Sequence, residues 1–212
     1  HGKESTTLDG MGERSIIQLW NPQARLESVR IAHGKGGISA LGGGQIANSS
    51  IVSNTAGGIY ALGTTCITNC EIAFNDGGGI QMQGGVIANC QIAHNVGNSG
   101  GGVKISGTSV RSCSIYDNQA YCGGGIYNSF GGSWIDHCTV VSNLALGGRG
   151  GGLFLSYGGG FIANTLIAQN ESAVGGGIAA ELSRFSAIHC TIAHNTAPKG
   201  AGVYHYMTTP SY

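Results

Sequence analysis

Cysteine is the reactive residue type that recurs most regularly in this chain of 212 residues. Five of the seven cysteines occupy one position of a recurring phrase, namely Cys70, Cys90, Cys113, Cys138 and Cys190. Such a column would form either a disulfide or metal framework or a stack of small buried side chains, since unpaired cysteine is among the most buried residue types. Zinc sites favour CxxC pairs, and the closest pair here is CITNC. We therefore predict a buried, reduced stack. Cys66 and Cys122 lie outside it as candidate exposed thiols, and the sequence leaves their redox state open.

The histidines and acidic residues give only weak indications of a metal or catalytic site. His33, His94 and His194 share one repeat position with Ser, Phe, Asp and Gln residues of other copies, which indicates a tolerant turn or surface position. Glycoside hydrolysis needs two carboxyl groups about 5–10 Å apart, and Asp117 and Asp136 fall in different repeat columns. We predict no metal site and no cofactor, and no residue is assigned a catalytic role.

Composition limits the classes of partner. The 10 basic and 10 acidic residues balance, and no basic stripe of the kind that nucleic-acid binders carry is visible. No apolar run approaches the ~18 residues of a membrane span. We therefore expect neither nucleic-acid binding nor membrane insertion. The 40 glycines and 41% apolar residues indicate many tight turns between short strands.

An internal repeat positions the cysteines, histidines and acidic residues named above. The phrase recurs as NSSIVSN, NCEIAFN, NCQIAHN, SCSIYDN, HCTVVSN, NTLIAQN and HCTIAHN, after a fainter SVRIAHG. The copies close at Gly34, Asn54, Asn75, Asn95, Asn118, Asn143, Asn170 and Asn195. One apolar column follows each glycine cluster, at Ile38, Ile59, Ile80, Val103, Ile126, Leu153, Ile178 and Val203. Another precedes each phrase, at Leu26, Ile46, Ile67, Ile87, Val110, Ile135, Ile162 and Ile188.

Each repeat therefore holds three short apolar stretches rich in β-branched residues, which are too short for helices and suit strands. A coil of three strands cannot bury its apolar face alone, whereas stacked coils pair every strand in parallel and enclose a continuous core. We predict an all-β fold, a parallel β-helix solenoid of about eight coils of three short strands, as one domain over residues 1–212. A leucine-rich repeat would need LxxLxL, and a left-handed β-helix a strict hexapeptide period; neither occurs.

The turn residues fit this arrangement. Asparagines stacked at one turn are expected to pass side-chain hydrogen bonds along the solenoid as an asparagine ladder, and asparagine also tolerates a left-handed backbone. Glycines would supply positive φ at the wide turn that follows. Most of the insertions that lengthen the repeat fall between the asparagine and the glycine cluster, so that turn is predicted to vary most.

The phrase I-x-N-C-x-I-x-x-N…G-G-G-I resembles the repeat of right-handed parallel β-helix proteins, found in pectate-lyase-like proteins and in bacterial surface and autotransporter passenger domains. TTLDGMGERSIIQL, residues 6–19, resembles the entry coil of such secreted bacterial proteins. The resemblance implies a right-handed helix, as does the general rule for parallel crossovers, and a secreted or cell-surface bacterial location. It does not select among the lyases, hydrolases, epimerases and adhesins that share the fold.

Lyases of this fold use calcium-binding acids with a Lys or Arg base on one sheet. Lys104 is the basic residue on the corresponding strand column, and Arg149 lies in the longest turn beside it, but the acid cluster is missing. A polysaccharide-active enzyme, a lyase or a glycoside hydrolase, thus remains the alternative to a binding module.

A binding face is predicted from strand alternation. Two outward columns follow the glycine clusters: Ser39, Tyr60, Gln81, Lys104, Tyr127, Phe154, Ala179 and Tyr204, and beside them Leu41, Leu62, Gln83, Ser106, Ser129, Ser156, Glu181 and Tyr206. Aromatic rings suit stacking on sugar rings, although strand propensity alone also favours them. We predict that a polysaccharide binds at Tyr60, Gln81, Gln83, Lys104, Tyr127, Phe154, Arg149 and Tyr204.

The ends of a solenoid need caps because the last coils expose edge strands and core. Neither HGKESTTLDG nor YHYMTTPSY has the pattern of an amphipathic cap. We therefore expect that the chain is part of a longer protein or that its ends pack against neighbouring domains or subunits.

Overall fold

The computed structural model describes residues 6–207, in which all regular structure is β-strand. The strands form parallel sheets stacked into a solenoid, which confirms the predicted all-β architecture. No helix in the described part of the chain is long and apolar enough to span a membrane. The end segments of the sequence fall partly on residues 1–5 and 208–212, which lie outside the described residues, so the expectation about caps stays a prediction.

In the described part of the chain, the solenoid consists of three long sheets and a shorter one. Sheet 1 contains β1 (Thr6–Asp9), β4 (Val29–Ala32), β7 (Ser50–Val52), β10 (Glu71–Ala73), β13 (Gln91–Ala93), β17 (Ser114–Tyr116), β21 (Thr139–Val141), β25 (Leu166–Ala168) and β29 (Thr191–Ala193). Sheet 2 contains β2 (Ser15–Leu19), β5 (Gly36–Ala40), β8 (Ile59–Leu62), β11 (Ile80–Gln83), β15 (Val103–Ser106), β19 (Ile126–Ser129), β23 (Leu153–Ser156), β27 (Ile178–Glu181) and β30 (Val203–Tyr206). Sheet 3 contains β3 (Arg25–Glu27), β6 (Gln45–Ala47), β9 (Cys66–Thr68), β12 (Val86–Ala88), β16 (Ser109–Arg111), β20 (Gly132–Asp136), β24 (Gly159–Ala163) and β28 (Arg184–Ile188). Sheet 4 contains β14 (Val96–Ser99), β18 (Gln119–Cys122), β22 (Leu144–Arg149) and β26 (Glu171–Val174).

Within residues 6–207, sheets 1 and 2 each hold nine strands, so the described part of the solenoid has nine coils rather than about eight. The additional coil begins with β1 and β2, which pair with β4 and β5 although their sequence lacks the recurring phrase. Sheet 4 is also additional to the three predicted strands per coil. It forms at the variable turn, where the inserted residues of four consecutive coils are long enough to pair with one another.

The apolar columns meet in the core, except that Val203 on β30 is 42% exposed and that one position was assigned wrongly. Ile162 pairs with Ala187, not with Ile188, which instead pairs with Ala163 and is 43% exposed. Ala187 keeps the three-residue spacing to Cys190 that earlier coils show, as from Ile135 to Cys138. Because side chains alternate along a strand, the one-residue difference puts Ile188 on the outer side.

The ladder asparagines are stacked along the turn after sheet 1, and all of them except Asn195 are buried. Each side-chain amide donates to the Oδ1 of the next, for example from Asn95 to Asn118 at 3.0 Å. The left-handed residue, however, is the one before the ladder position, such as Phe74 with φ 56° or His94 with φ 55°. That backbone turn directs the asparagine side chain into the solenoid. His33, His94 and His194 occupy the left-handed position itself, so their column is a turn position, as predicted.

The cysteine column also stacks in the core. Cys70, Cys90, Cys113 and Cys138 are 2–3% exposed and unpaired. Each thiol donates to the carbonyl two residues earlier at 3.2–3.3 Å. Hydrogen bonding to the Cys138 and Cys90 thiols, together with burial, raises the pKa of Cys113. Cys190, in a terminal coil, is partly exposed.

We expect iodoacetamide to modify Cys66, Cys122 and Cys190 first in the native protein, because all three are partly exposed and alkylation requires an accessible thiolate. The four buried column thiols should react only after unfolding. Peptide mass spectrometry over a time course measures each rate, and the denatured protein provides the control in which all seven react. If any of the four buried column cysteines reacted in the native protein as fast as Cys66, the buried stack would be contradicted.

Candidate functional site

The outer face of sheet 2 has the predicted register. Its first outward column runs through the partners Ser39, Tyr60, Gln81, Lys104, Tyr127, Phe154, Ala179 and Tyr204. The second column pairs Leu62 with Gln83 and Gln83 with Ser106. The residues that alternate with these columns along the strands, such as Ile59 and Ala61, point into the core and are buried. Equivalent side chains therefore recur on successive coils.

The N-terminal half of this face is open to solvent. Tyr60 is 38% exposed, and Gln81 and Gln83 are exposed beside it. A cavity of about 300 Å³ adjoins Tyr60 and Gln81, and its lining includes Ser39 and Gly57. The turn in these coils is short, so it borders the strands without covering them.

The face is covered at β23 and β27, where the longer turns fold against it, whereas Tyr206 on β30 is 48% exposed. Gly150 has φ +69°, and a Cβ there would overlap the carbonyl of Leu153, so this turn is pressed onto β23. Phe154 points outward as predicted but is only 6% exposed, and Ala179 is fully buried. Phe154 therefore offers a ligand almost no surface.

Arg149 flanks the face from sheet 4, as predicted, but its charge is already paired. Its Nε lies 2.6 Å from Oε1 of Glu181, whose side chain is 15% exposed. Glu181 belongs to the second outward column, so the arginine must reach across the first column to meet it. This ion pair helps to cover the face at β23 and β27. Because its charge is partly neutralised, Arg149 would attract an anionic ligand less strongly than a free arginine.

Lys104 and Tyr127 lie at the border between the two halves, and both are partly exposed. The Lys104 ammonium is 5.9 Å from the centre of the Tyr127 ring, within cation–π range, and it forms no ion pair with any residue in 6–207. Tyr127 in turn packs against Phe154, with ring centres 5.3 Å apart. The partly exposed Lys104 ammonium beside the Tyr127 ring therefore places a positive charge at the border of the open half of the face.

The structure thus brings five of the predicted residues into one accessible surface, which we call the open face: Tyr60, Gln81, Gln83, Lys104 and Tyr127. Tyr204 is partly exposed but lies on β30, beyond the buried Phe154 and Ala179. Sequence reasoning missed the cavity beside Tyr60. The shortness of the turn between Asn54 and Gly58 was the available signal.

Acidic and metal-ligating side chains do not gather on this face. Asp117 lies at the left-handed turn after sheet 1, and Asp136 lies on sheet 3. Within residues 6–207, no three His, Cys, Asp or Glu side chains form a group that could hold a metal ion. The chemistry visible on the open face is therefore hydrogen bonding, ring stacking and one positive charge.

Comparison with known proteins gives one match. The family model described as a right handed beta helix region matches residues 15–171. This range starts at the first residue of β2 and ends at the first residue of β26, so it includes the whole open face. No curated protein and no solved structure matches the chain significantly.

Proposed function

Because the chain belongs to the right-handed β-helix family, we propose that it is a secreted or cell-surface module that binds an extended polysaccharide along the open face. The observation that carries the proposal is the in-register series Tyr60, Gln81, Lys104 and Tyr127 on four successive coils. Parallel strands lie about 4.8 Å apart, so a polymer lying across them meets equivalent side chains at regular intervals.

The chemistry of the open face suits sugars. Tyrosine rings present flat apolar area together with a hydroxyl group. The amides of Gln81 and Gln83 both donate and accept hydrogen bonds, as sugar hydroxyls do. The cavity beside Tyr60 gives room for a substituent that projects from the polymer.

The test is retention on a panel of immobilised polymers, comprising cellulose, xylan, mannan, polygalacturonate and alginate. We expect the protein to bind at least one of them, and the double variant Tyr60→Ala, Gln81→Ala to bind it at least tenfold more weakly. Both side chains are exposed, so the fold should be retained, and circular dichroism checks this.

Tyr121→Ala is the matched control, because Tyr121 is a 58% exposed tyrosine on sheet 4 and is not one of the open-face residues. Its binding should equal that of the wild type. Binding to none of the polymers, or equal affinity in the double variant and the wild type, would refute the proposal. Release of reducing ends or of products that absorb in the ultraviolet would show the alternative, a polysaccharide-active enzyme.

A further inference from the structure

Sheet 3 carries a separate cleft on its own outer face. The cleft has a volume of about 440 Å³ and is lined by Ser109, Arg111, Trp134 and Asp136. Small-molecule sites typically occupy about 300–1,000 Å³. These residues lie on β16 and β20, which are adjacent parallel strands, so the rigid solenoid holds the walls of the cleft.

Trp134 forms the apolar wall. Its side chain is 50% exposed, although indole rings usually bury most of their area. Phe161 on the next coil supports it, with ring centres 4.3 Å apart. Because β20 lies between β24 and β16, Phe161 covers the side towards the C-terminal end, and the other side borders the cleft.

Asp136 supplies an acceptor whose position is fixed. Asn164 Nδ2 donates to its Oδ1 at 3.0 Å, and His137 Nδ1 lies 2.9 Å from the same oxygen. These hydrogen bonds, the one from Asn164 first, hold the pKa of Asp136 below its usual range, so the group is an anion at neutral pH. Among residues 6–207, the side-chain partners of this carboxylate contact Oδ1, which leaves Oδ2 for another donor.

Arg111 supplies donors on the opposite side. It is the direct register partner of Asp136 on the adjacent strand, yet no ion pair joins the two in the described part of the chain. Its Nε donates instead to Ser109 Oγ at 2.9 Å, and its terminal nitrogens remain available. An anion and a cation thus lie side by side on neighbouring strands without pairing, and both line the cleft together with the tryptophan ring.

We propose that this cleft binds one pyranose ring of a neutral saccharide, with an apolar C–H face of the sugar on Trp134 and adjacent hydroxyls bridging Asp136 and Arg111. A hydroxyl both donates and accepts, so a pair of them satisfies the carboxylate and the guanidinium together. Asp136 and Arg111 carry opposite charges, so together they give the cleft no net charge, which matches a neutral sugar. The site lies on a different sheet from the open face and does not depend on it.

The test is saturation-transfer NMR with the methyl β-glycosides of glucose, galactose, xylose and N-acetylglucosamine. We expect at least one glycoside to give a saturable signal that weakens at least tenfold in Trp134→Ala and at least fivefold in Asp136→Asn and in Arg111→Gln. Trp20→Ala is the matched control, because Trp20 is a 66% exposed tryptophan outside the cleft.

The fold of each variant is checked by its thermal unfolding midpoint, and the two polar variants keep the test valid if Trp134→Ala is unstable. Saturable binding should persist in Trp20→Ala and in the Tyr60→Ala, Gln81→Ala double variant, which separates this cleft from the open face. No saturable signal with any of the four glycosides, or the same loss in Trp20→Ala as in Trp134→Ala, would overturn the proposal.

Discussion

Replacing Asn118 by alanine should lower the free energy of unfolding by about 4 kcal/mol, because each buried polar group left without a partner costs about 1–3 kcal/mol. The Asn118 amide donates to Asn143 Oδ1, to the Ile92 carbonyl and to the Tyr116 carbonyl at 2.9–3.0 Å. Its Oδ1 accepts from both the backbone N–H and the side chain of Asn95 at 3.0 Å. The variant removes all five hydrogen bonds from a site that is 1% exposed.

Urea unfolding followed by circular dichroism measures this loss. Asn98→Ala is the matched control, because Asn98 is an exposed asparagine on β14, and it should change stability by less than about 0.5 kcal/mol. If Asn118→Ala cost no more than Asn98→Ala, the ladder would be a consequence of stacking and not a source of stability.

Replacing Gly125 by alanine should cost about 3 kcal/mol, since overpacking a filled interior typically costs 1–3 kcal/mol. A Cβ there would lie 2.7 Å from the Gly152 carbonyl oxygen and 2.9 Å from Cγ1 of Val140. The first of these is backbone of the next coil, hydrogen-bonded into the stack through Ile126 N–H. It has no free space to move into, so the two coils must separate.

Gly132→Ala provides the comparison within the same coil, because a Cβ there would meet no atom within 4 Å and the residue is exposed. We expect a clearly lower urea midpoint for Gly125→Ala and a midpoint near that of the wild type for Gly132→Ala. Equal midpoints would mean that the glycine clusters are not required for the close approach of neighbouring coils.

The repeat itself was sufficient to predict the fold. Each phrase contains regularly spaced apolar residues and closes with an asparagine. Stacking the coils in register buries both. The same alternation predicted the outward columns, because successive side chains of a strand point to opposite sides. Ile188 was assigned wrongly because it is apolar, although the spacing to Cys190 favours Ala187.

Burial and proximity across coils were decided by the tertiary structure. Phe154 and Tyr60 occupy the same column, yet one is buried and the other exposed, because the insertion before Phe154 folds back over the strand and the short turn before Tyr60 cannot. The cleft beside Trp134 likewise depends on Arg111, Asp136 and Asn164, which three different coils supply. The sequence by itself determined which residues stack and which point outward, since that follows from local periodicity. Which outward residues reach solvent depends on how inserted turns pack against coils more than twenty residues away, and only the folded solenoid sets those contacts.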